Sequence, residues 1–218
     1  MIAAILPEAV AVAESREDGP AEFRYPEEAA LAARAVEKRR RELAGGRECA
    51  HRALATLGVE PGPILAGPKG EPLWPAGTVG AITHTDGYRA AAVARAEELA
   101  ALAIDAEANA PLPTGLLPDV ARPEERPRLA ELARAEPGVH WDRLLFSAKE
   151  SVYKAWFPLT GRWLGFEDAS LELDPAARRF RARLMVPGPS LDGAELRGFE
   201  GRWLLADGLL LTAIALPR

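Results

Sequence analysis

The sequence predicts an α+β fold made of two subdomains, each combining helices with a small antiparallel sheet. Each half offers helical patterns together with several β-like runs. Glycine-containing turns join several of these runs, which favours hairpins and therefore antiparallel pairing. A boundary near residue 103 gives expected units of residues 1–103 and 104–218. No sequence repeat is visible, so element order alone suggests that the two halves are similar.

The first half begins with weak alternation over residues 1–13, which is typical of one or two edge strands. A helix is expected from Pro26 to about residue 43, because proline and the acidic residues after it suit a first turn. Gly45 and Gly46 are expected to break it before a second helix over residues 47–57.

Glycine and proline dominate residues 61–75, which therefore predict a structured loop. Two β-like runs follow over residues 78–83 and 88–94, and the turn between them predicts a hairpin. A third apolar run covers residues 99–106.

The second half opens with a proline-rich loop over residues 109–127 and a short charged helix over residues 123–135. The strongest helical pattern covers residues 141–156, and Pro158 is expected to end it. Four β-like runs complete the chain, at residues 166–173, 180–185, 196–205 and 209–215. Ala206-Asp207-Gly208 predicts a hairpin between the last two.

Composition and charge narrow the functional classes. The chain has 218 residues and a formal net charge of −5, so a general attraction to nucleic acid is not expected. No apolar run reaches the roughly 20 residues that span a bilayer, and the first residues lack the features of a signal peptide. The single cysteine, Cys49, cannot form an internal disulfide, which agrees with a reducing cytoplasm. We therefore expect a cytoplasmic protein that binds neither membrane nor nucleic acid.

Two acids, Asp105 and Glu107, end the apolar run over residues 99–106. Residues two apart in a strand face the same side, so the two carboxylates would project together. Paired carboxylates repel unless a cation or a proton lies between them, and oxygen ligands favour magnesium. A strand end entering solvent is the alternative reading of this pair.

A second group of charged residues lies on the helix over residues 141–156. Glu150 and Lys154 are four residues apart and share a face, while Lys149 lies about 100° away. A surface ion pair is the simplest reading of this spacing. However, the helix is apolar over much of its circumference, and charges on a buried helix need partners. Glu150 joining Asp105 and Glu107 around one metal ion would supply such a partner.

A third candidate is the loop around Lys69 and Gly70, together with Thr83-His84 at the hairpin. Gly70 permits close approach of the backbone to a ligand, and Lys69 and His84 have donors for a phosphate. A structural histidine at a turn is the alternative for His84. A basic cluster over residues 38–52 is either a solvated helix face or a phosphate site.

Taken together, these segments resemble the Sfp-type phosphopantetheinyl transferases, and most closely their EntD/PptT-like branch. The resemblance extends from about residue 35 to the end, and the acidic pair combined with a Lys-Glu-Ser-x-x-Lys helix is its most specific part. The matching segments are Gly46-Arg47, residues 69–75, Thr83-His84, residues 104–107, residues 145–155 and residues 165–168.

The resemblance implies a monomer with two similar, pseudo-symmetric halves and with coenzyme A in the cleft between them. It implies transfer of the 4'-phosphopantetheine group from coenzyme A to a serine of an apo acyl or peptidyl carrier protein, with release of 3',5'-ADP. Asp105, Glu107 and Glu150 would bind Mg²⁺, or Mn²⁺ in its place. Which carrier is served, whether of fatty-acid, polyketide or nonribosomal-peptide synthesis, is left open.

The resemblance also implies roles for individual residues. Lys154 would contact the attacked phosphate, and Glu150 is the first choice as general base, with Glu107 or a metal-bound water as alternatives. Further coenzyme contacts would come from these residues: Arg39, Arg47, Lys69, Gly70, Glu71, Pro72, Thr83, His84 and Lys149.

The chain departs from the family pattern at Asp86, where many relatives have cysteine or serine. Its charge lies near an expected phosphate site, so we expect this side chain to point to solvent. The leucine-containing loop over residues 112–120 is a candidate docking surface for the carrier, with a core-capping role as the alternative. A nucleotide pyrophosphohydrolase with the same acids and a non-catalytic module that binds coenzyme A are the rival functions.

Overall fold

The computed structural model describes residues 1–17 and 19–218, and its first half holds two helices and five strands. A 3-10 turn at Ile2–Ile5 precedes them. In chain order they are β1 (Ala11–Ser15), α1 (Pro26–Leu31), α2 (Glu37–Thr56), β2 (Leu65–Ala66), β3 (Pro72–Leu73), β4 (Thr78–Thr85) and β5 (Tyr88–Arg95). The hairpin predicted over residues 78–94 is confirmed as β4 and β5.

The second half holds the longer strands and the second long helix. Its elements are β6 (Leu99–Ala108), α3 (Leu117–Val120), α4 (Arg126–Ala135), α5 (Trp141–Thr160), β7 (Ala169–Asp174), β8 (Arg179–Leu184), β9 (Ser190–Leu191), β10 (Ala194–Glu195), β11 (Gly198–Ala206) and β12 (Leu209–Pro217). The four predicted β-like runs correspond to β7, β8, β11 and β12. Asp207 and Gly208 have positive φ angles in the turn between the last two, as the hairpin prediction required.

Antiparallel pairing organises both halves. One sheet has the order β1-β5-β4, and a larger one has the order β6-β12-β11-β8-β7. Helix α2 packs against the smaller sheet, and α5 packs against β6 and β12 of the larger one. The α+β class is therefore confirmed, with one 20-residue helix packed on a small sheet in each half.

The helix break predicted at Gly45 and Gly46 is wrong, because α2 runs through both residues without interruption. A side chain at Gly46 would come within 2.8 Å of the Ile82 side chain on β4. At Gly45 the nearest atom would be Arg89 Cδ on β5, at 3.0 Å. These glycines therefore allow the helix to approach the sheet closely, and this packing outweighs their low helix propensity.

Two other helix boundaries also differ from the predictions. The single helix expected from Pro26 is divided into α1 and α2, and α5 continues beyond Pro158 to Thr160. Proline removes only one hydrogen bond when it lies in the last turn, so the helix tolerates it there. Gly161 ends α5 instead, with φ 64° and its N–H donating to Phe157 O at 2.8 Å.

Strand β6 lies between two apolar cores, and its alternating side chains face them in turn. Ala101 and Ala103 belong to the core beneath α5, whereas Leu102 and Ile104 belong to the core shared with β4 and β5. Residues two apart in a strand share a face. Asp105 and Glu107 therefore lie on the same face of β6 as Ala101 and Ala103, the face toward α5. Among the described residues, no helix is both long and apolar enough to cross a membrane.

Candidate active site

Asp105, on β6, contacts α5, the helix that carries the predicted residues Glu150 and Lys154. Its side chain is 5% exposed. Lys154 Nζ lies 2.7 Å from Asp105 Oδ1 and also donates to the Ile104 carbonyl at 3.2 Å. Ser147 Oγ donates to Asp105 Oδ2 at 2.8 Å. The structure thus brings together the acidic strand and the charged helix, which are more than 40 positions apart in the chain.

Glu107 and Glu150 belong to the same electrostatic cluster as Asp105. Burial, and then the negative charge of Asp105, raise the pKa of Glu107 to about 7, although Arg143 opposes this effect. Arg143 Nη1 lies 3.0 Å from Glu107 Oε2. Burial, and then the charge of Asp105, also raises the pKa of Glu150. Three acids therefore share one partly buried region, and the charge of Asp105 disfavours ionisation of the other two.

These acids are not arranged as a closed metal site: across residues 1–17 and 19–218, no three His, Cys, Asp or Glu side chains are placed to hold a metal ion. Cationic and hydroxyl partners engage Asp105 and Glu107 instead. The donor set nevertheless suits a hard divalent cation, which prefers carboxylate oxygens. Burial and the charge of Asp105 raise the pKa values of Glu107 and Glu150, and a bound cation would offset both effects by favouring the ionised carboxylates.

His84 and Arg39 approach this region from β4 and α2. Arg39 Nη1 lies 2.6 Å from His84 Nε2, and Glu42 Oε2 accepts a hydrogen bond from Arg39 Nη1 at 3.1 Å. Burial and the positive charge of Arg39 lower the pKa of His84, and the charges of Lys154 and Asp105 also act on it. Two predicted phosphate contacts are therefore close to each other and within electrostatic reach of the acids.

Thr83 and Arg47 occupy buried positions near these groups. Thr83 is 2% exposed, and its Oγ1 lies 3.5 Å from Asp105 Oδ1. Arg47 Nε donates to the Ile64 carbonyl at 2.9 Å. Burial lowers the pKa of Arg47, and the positive charge of Arg39 lowers it further. Arg47 therefore lies within electrostatic reach of Arg39, and the hydrogen bond from its Nε to the Ile64 carbonyl stabilises the loop before β2.

The glycine loop lies beside α5. Gly70 has φ 86°, and Glu71 Oε2 accepts a hydrogen bond from Lys69 N at 2.9 Å, so the loop folds back on itself. Pro72 begins β3 directly after it. The charges of Glu71 and Glu150 both contribute to a raised pKa of Tyr153 on α5, although burial is the main cause. The predicted coenzyme loop and the acidic helix therefore border the same region.

Asp86 points to solvent, as expected from its charge. Its side chain is 84% exposed and forms a 2.7 Å ion pair with Lys38. The leucine loop, in contrast, belongs to the core: Leu112 is 7% and Val120 is 1% exposed, and Leu116 and Leu117 pack against the same cluster. The core-capping alternative is therefore the one that the structure supports for these side chains.

Comparison with known proteins gives matches in both halves. Residues 27–94 match the model of the 4'-phosphopantetheinyl transferase N-terminal domain, and residues 101–192 match that of the 4'-phosphopantetheinyl transferase superfamily. The 4'-phosphopantetheinyl transferase Svp of Streptomyces mobaraensis is 57% identical over 99% of this chain and 89% of its own. The chain belongs to the 4'-phosphopantetheinyl transferase family.

Two further relatives cover almost the whole chain. The 4'-phosphopantetheinyl transferase PptT of Mycobacterium tuberculosis is 48% identical over 99% of this chain and 98% of its own. The 4'-phosphopantetheinyl transferase Npt of Nocardia iowensis is 48% identical over 99% of each chain. The chain is therefore an enzyme of the transferase class, and the resemblance noted from its motifs is confirmed.

Lys149 lies away from the acidic cluster of the transferase. Its side chain is 1% exposed and forms a 2.9 Å ion pair with Glu125. Its ammonium also donates to the carbonyls of Phe166 at 2.8 Å and Ala169 at 3.0 Å. These three partners use all three N–H donors of the ammonium. Their number favours a structural role over the predicted contact with the coenzyme.

Replacing Lys149 by methionine is expected to lower the free energy of unfolding by about 3–5 kcal/mol, because Glu125 would remain buried without its cation. The KM for coenzyme A of the folded variant is expected to stay at the wild-type value. Chemical denaturation and transfer kinetics measure the two quantities. Adding Glu125→Gln is expected to recover part of the stability, because glutamine removes the buried charge and keeps an acceptor for the backbone N–H of Leu171 or Arg122. A higher KM for coenzyme A in the single variant would instead return Lys149 to the coenzyme site.

Several residues near the transferase site were missed in the sequence. Arg143 lies on α5 one turn before Ser147, so helical spacing was the available signal. Glu42 follows Arg39 by three residues on α2, again on the same face. Trp163, 72% exposed, lies with its ring centroid 5.0 Å from that of Tyr153. No sequence pattern indicated this exposed aromatic pair, because Trp163 lies beyond the end of the helix.

Proposed function

We propose that this chain transfers the 4'-phosphopantetheine group of coenzyme A to a serine of an apo acyl or peptidyl carrier protein. The observation that supports it is the convergence of Asp105, Glu107, Glu150 and Lys154 with His84. Acids from β6 and α5 meet the ammonium of Lys154 on α5 and the imidazole of His84 on β4. Phosphoryl transfer needs such a mixture, because it depends on positioning and on stabilisation of negative charge.

The proposed step exchanges one phosphorus–oxygen bond for another. The serine hydroxyl oxygen attacks the phosphorus that carries the pantetheine arm, and the bond from that phosphorus to the bridging pyrophosphate oxygen breaks. The electron pair of this bond leaves with 3',5'-ADP, and the serine proton passes to Glu150. Burial and the charge of Asp105 make this carboxylate more basic than an ordinary glutamate, as its raised pKa indicates.

Asp105, Glu107 and Glu150 are the residues that would hold a divalent cation, and we infer magnesium, with manganese as the alternative. When bound, the cation would neutralise charge on the pyrophosphate oxygens. Lys154 supplies a second positive charge at the same place, and its contact with Asp105 Oδ1 keeps its ammonium directed at the cluster. In this proposal Lys154 contacts the phosphate under attack.

The remaining phosphates and the nucleotide would contact α2, β4 and the glycine loop. Arg39 and His84 form the most direct pair, because their side chains already touch at 2.6 Å. We further propose contacts from Arg47, Lys69 and Thr83, and from the segment Gly70-Glu71-Pro72. The proposed cation-binding residues and the proposed coenzyme contacts all belong to one chain, so we infer that a monomer is sufficient for activity. We further infer that residues 1–103 and 104–218 are its two halves.

The deciding experiment mixes the chain with coenzyme A, magnesium and an apo carrier protein, and follows the carrier by intact-protein mass spectrometry. We expect the carrier to gain one phosphopantetheine while 3',5'-ADP accumulates in equal amount. A carrier whose serine is replaced by alanine is the control and should gain nothing. Free phosphopantetheine without modified carrier would instead indicate a pyrophosphohydrolase. Bound but intact coenzyme A would indicate a non-catalytic binding module.

His84→Ala is expected to raise the KM for coenzyme A by about 10- to 100-fold, which corresponds to one hydrogen bond to a charged group. Its effect on kcat is expected to be smaller, because the coenzyme phosphate that it binds is not the one attacked. Initial rates at varied coenzyme A concentrations measure both constants. His140→Ala is the matched control, since in the described part of the chain His140 makes its hydrogen bonds through the backbone N–H and C=O and not through the imidazole. An unchanged KM in His84→Ala would remove His84 from the coenzyme site.

A further inference from the structure

Three hydroxyl side chains lie behind Asp105 on the side away from solvent. Ser147 and Ser151 are one turn apart on α5, and Thr212 lies on β12; all three are 0% exposed. Thr212 is the residue directly opposite Asp105 in the β6–β12 pairing. It lies beyond residues 101–192, the stretch matched by the superfamily model. No role in the transferase reaction follows for Thr212 from the motifs in the sequence.

The three hydroxyl groups form a continuous hydrogen-bonded series that ends at the carboxylate of Asp105. Ser151 Oγ lies 2.7 Å from Thr212 Oγ1, which lies 3.0 Å from Ser147 Oγ. Ser147 Oγ in turn lies 2.8 Å from Asp105 Oδ2. Thr212 Oγ1 is also 3.1 Å from the Ser147 carbonyl, so Thr212 contacts both polar groups of this residue.

Counting the hydroxyl protons shows which group is the donor in each of these hydrogen bonds. An ionised carboxylate can only accept hydrogen bonds, so the single proton of Ser147 must go to Asp105. Thr212 must therefore donate its single proton to Ser147, either to Oγ or to the carbonyl oxygen. Ser151 must then be the donor toward Thr212. When Thr212 donates to Ser147 Oγ, every hydroxyl of the series donates toward the carboxylate, and such a series strengthens each member by polarisation.

We propose that Thr212 is a positioning residue that fixes, through Ser147, the orientation of the Asp105 carboxylate. The hydrogen bond from Ser147 holds Oδ2 and leaves Oδ1 directed at Lys154 and Thr83, where the proposed cation and phosphate would lie. This inference rests on the proposed function. Partners that orient a ligand are typically worth about 10- to 100-fold in metal affinity or activity.

Thr212→Val tests the proposal because valine keeps the shape and removes the hydroxyl. The readout is the affinity of the full chain for Mn²⁺ alone, measured by isothermal titration calorimetry and by the loss of the free-ion EPR signal. We expect affinity to fall about 10- to 100-fold in Thr212→Val and to stay near the wild-type value in Thr212→Ser. Thr160→Val is the matched control, since among the described residues its hydroxyl bonds only the carbonyl of Trp156 and the N–H of Arg162, both close in sequence.

Thermal denaturation without metal separates positioning from folding. Should Thr212→Val fold poorly, Ser147→Ala gives the same test from α5 and is expected to lose Mn²⁺ affinity to a similar degree. The double variant is expected to lose no more than the larger single effect, because both changes break one chain. Wild-type Mn²⁺ affinity in a folded Thr212→Val variant would overturn the role of Thr212 and leave the proposed function standing. A wild-type chain that binds no Mn²⁺ would overturn the proposed cation site and this inference together.

Discussion

Glu150→Gln is expected to slow transfer to the carrier protein by about 10²- to 10⁴-fold, the range that general acid–base groups contribute. Glutamine has the same shape as glutamate but cannot take the serine proton, and it is a weaker ligand for a cation. Glu150 makes no ion pair with another side chain in the described part of the chain, so its loss leaves no buried charge unpaired. The fold should therefore survive, and the effect should fall on kcat.

Single-turnover transfer, with enzyme in excess over apo carrier, measures this effect free of product release. Glu131→Gln is the matched control, because Glu131 lies on the exposed side of α4 and pairs only with Arg128. Coenzyme A affinity is measured in parallel by calorimetry and is expected to change far less than the rate. A rate within a few-fold of wild type would remove Glu150 as base and leave Glu107 as the alternative.

Lys154→Met is expected to lower kcat by about 10²- to 10³-fold, the usual cost of losing one preorganised donor to developing negative charge. Methionine keeps much of the length of the side chain but removes the ammonium that contacts Asp105 Oδ1. Asp105 then loses its cation, so thermal stability is also expected to fall. The fall in thermal stability therefore has to be measured separately from the fall in kcat.

Rates are therefore compared at a temperature where circular dichroism shows the variant to be folded. Lys154→Arg tests the charge itself and is expected to recover stability more fully than rate, because the guanidinium cannot take the compact position of the ammonium. Lys38→Met is the control, since Lys38 is 69% exposed and pairs with Asp86 at the surface. Wild-type kcat in folded Lys154→Met would exclude Lys154 from the reaction.

Much of the site could be predicted because the residues that form it follow the local periods of strand and helix. Period two on β6 brings Asp105 and Glu107 to the face that already carries Ala103. Period 3.6 on α5 brings Ser147, Ser151 and Lys154 to one face. Turn chemistry was equally informative, since Asp-Gly pairs mark both hairpins.

Predictions failed where a contact with a distant segment outweighed the local preference. Gly45 and Gly46 were read as helix breakers, yet the close approach of α2 to β4 and β5 requires them within the helix. For Lys149 the resemblance implied a coenzyme contact, which stays a prediction; in the structure its ammonium bonds Glu125 and the carbonyls of Phe166 and Ala169.

The sequence by itself determined the class of the fold, the pairing of acids with a charged helix and the family, because these depend on residue type and spacing along one element. Only the tertiary structure decided which cation meets which acid: Lys154 with Asp105, Arg143 with Glu107 and Lys149 with Glu125. It also decided that Thr212 faces Asp105 across β6 and β12. Ion pairs and hydrogen bonds act over about 3 Å, so they depend on how distant elements pack.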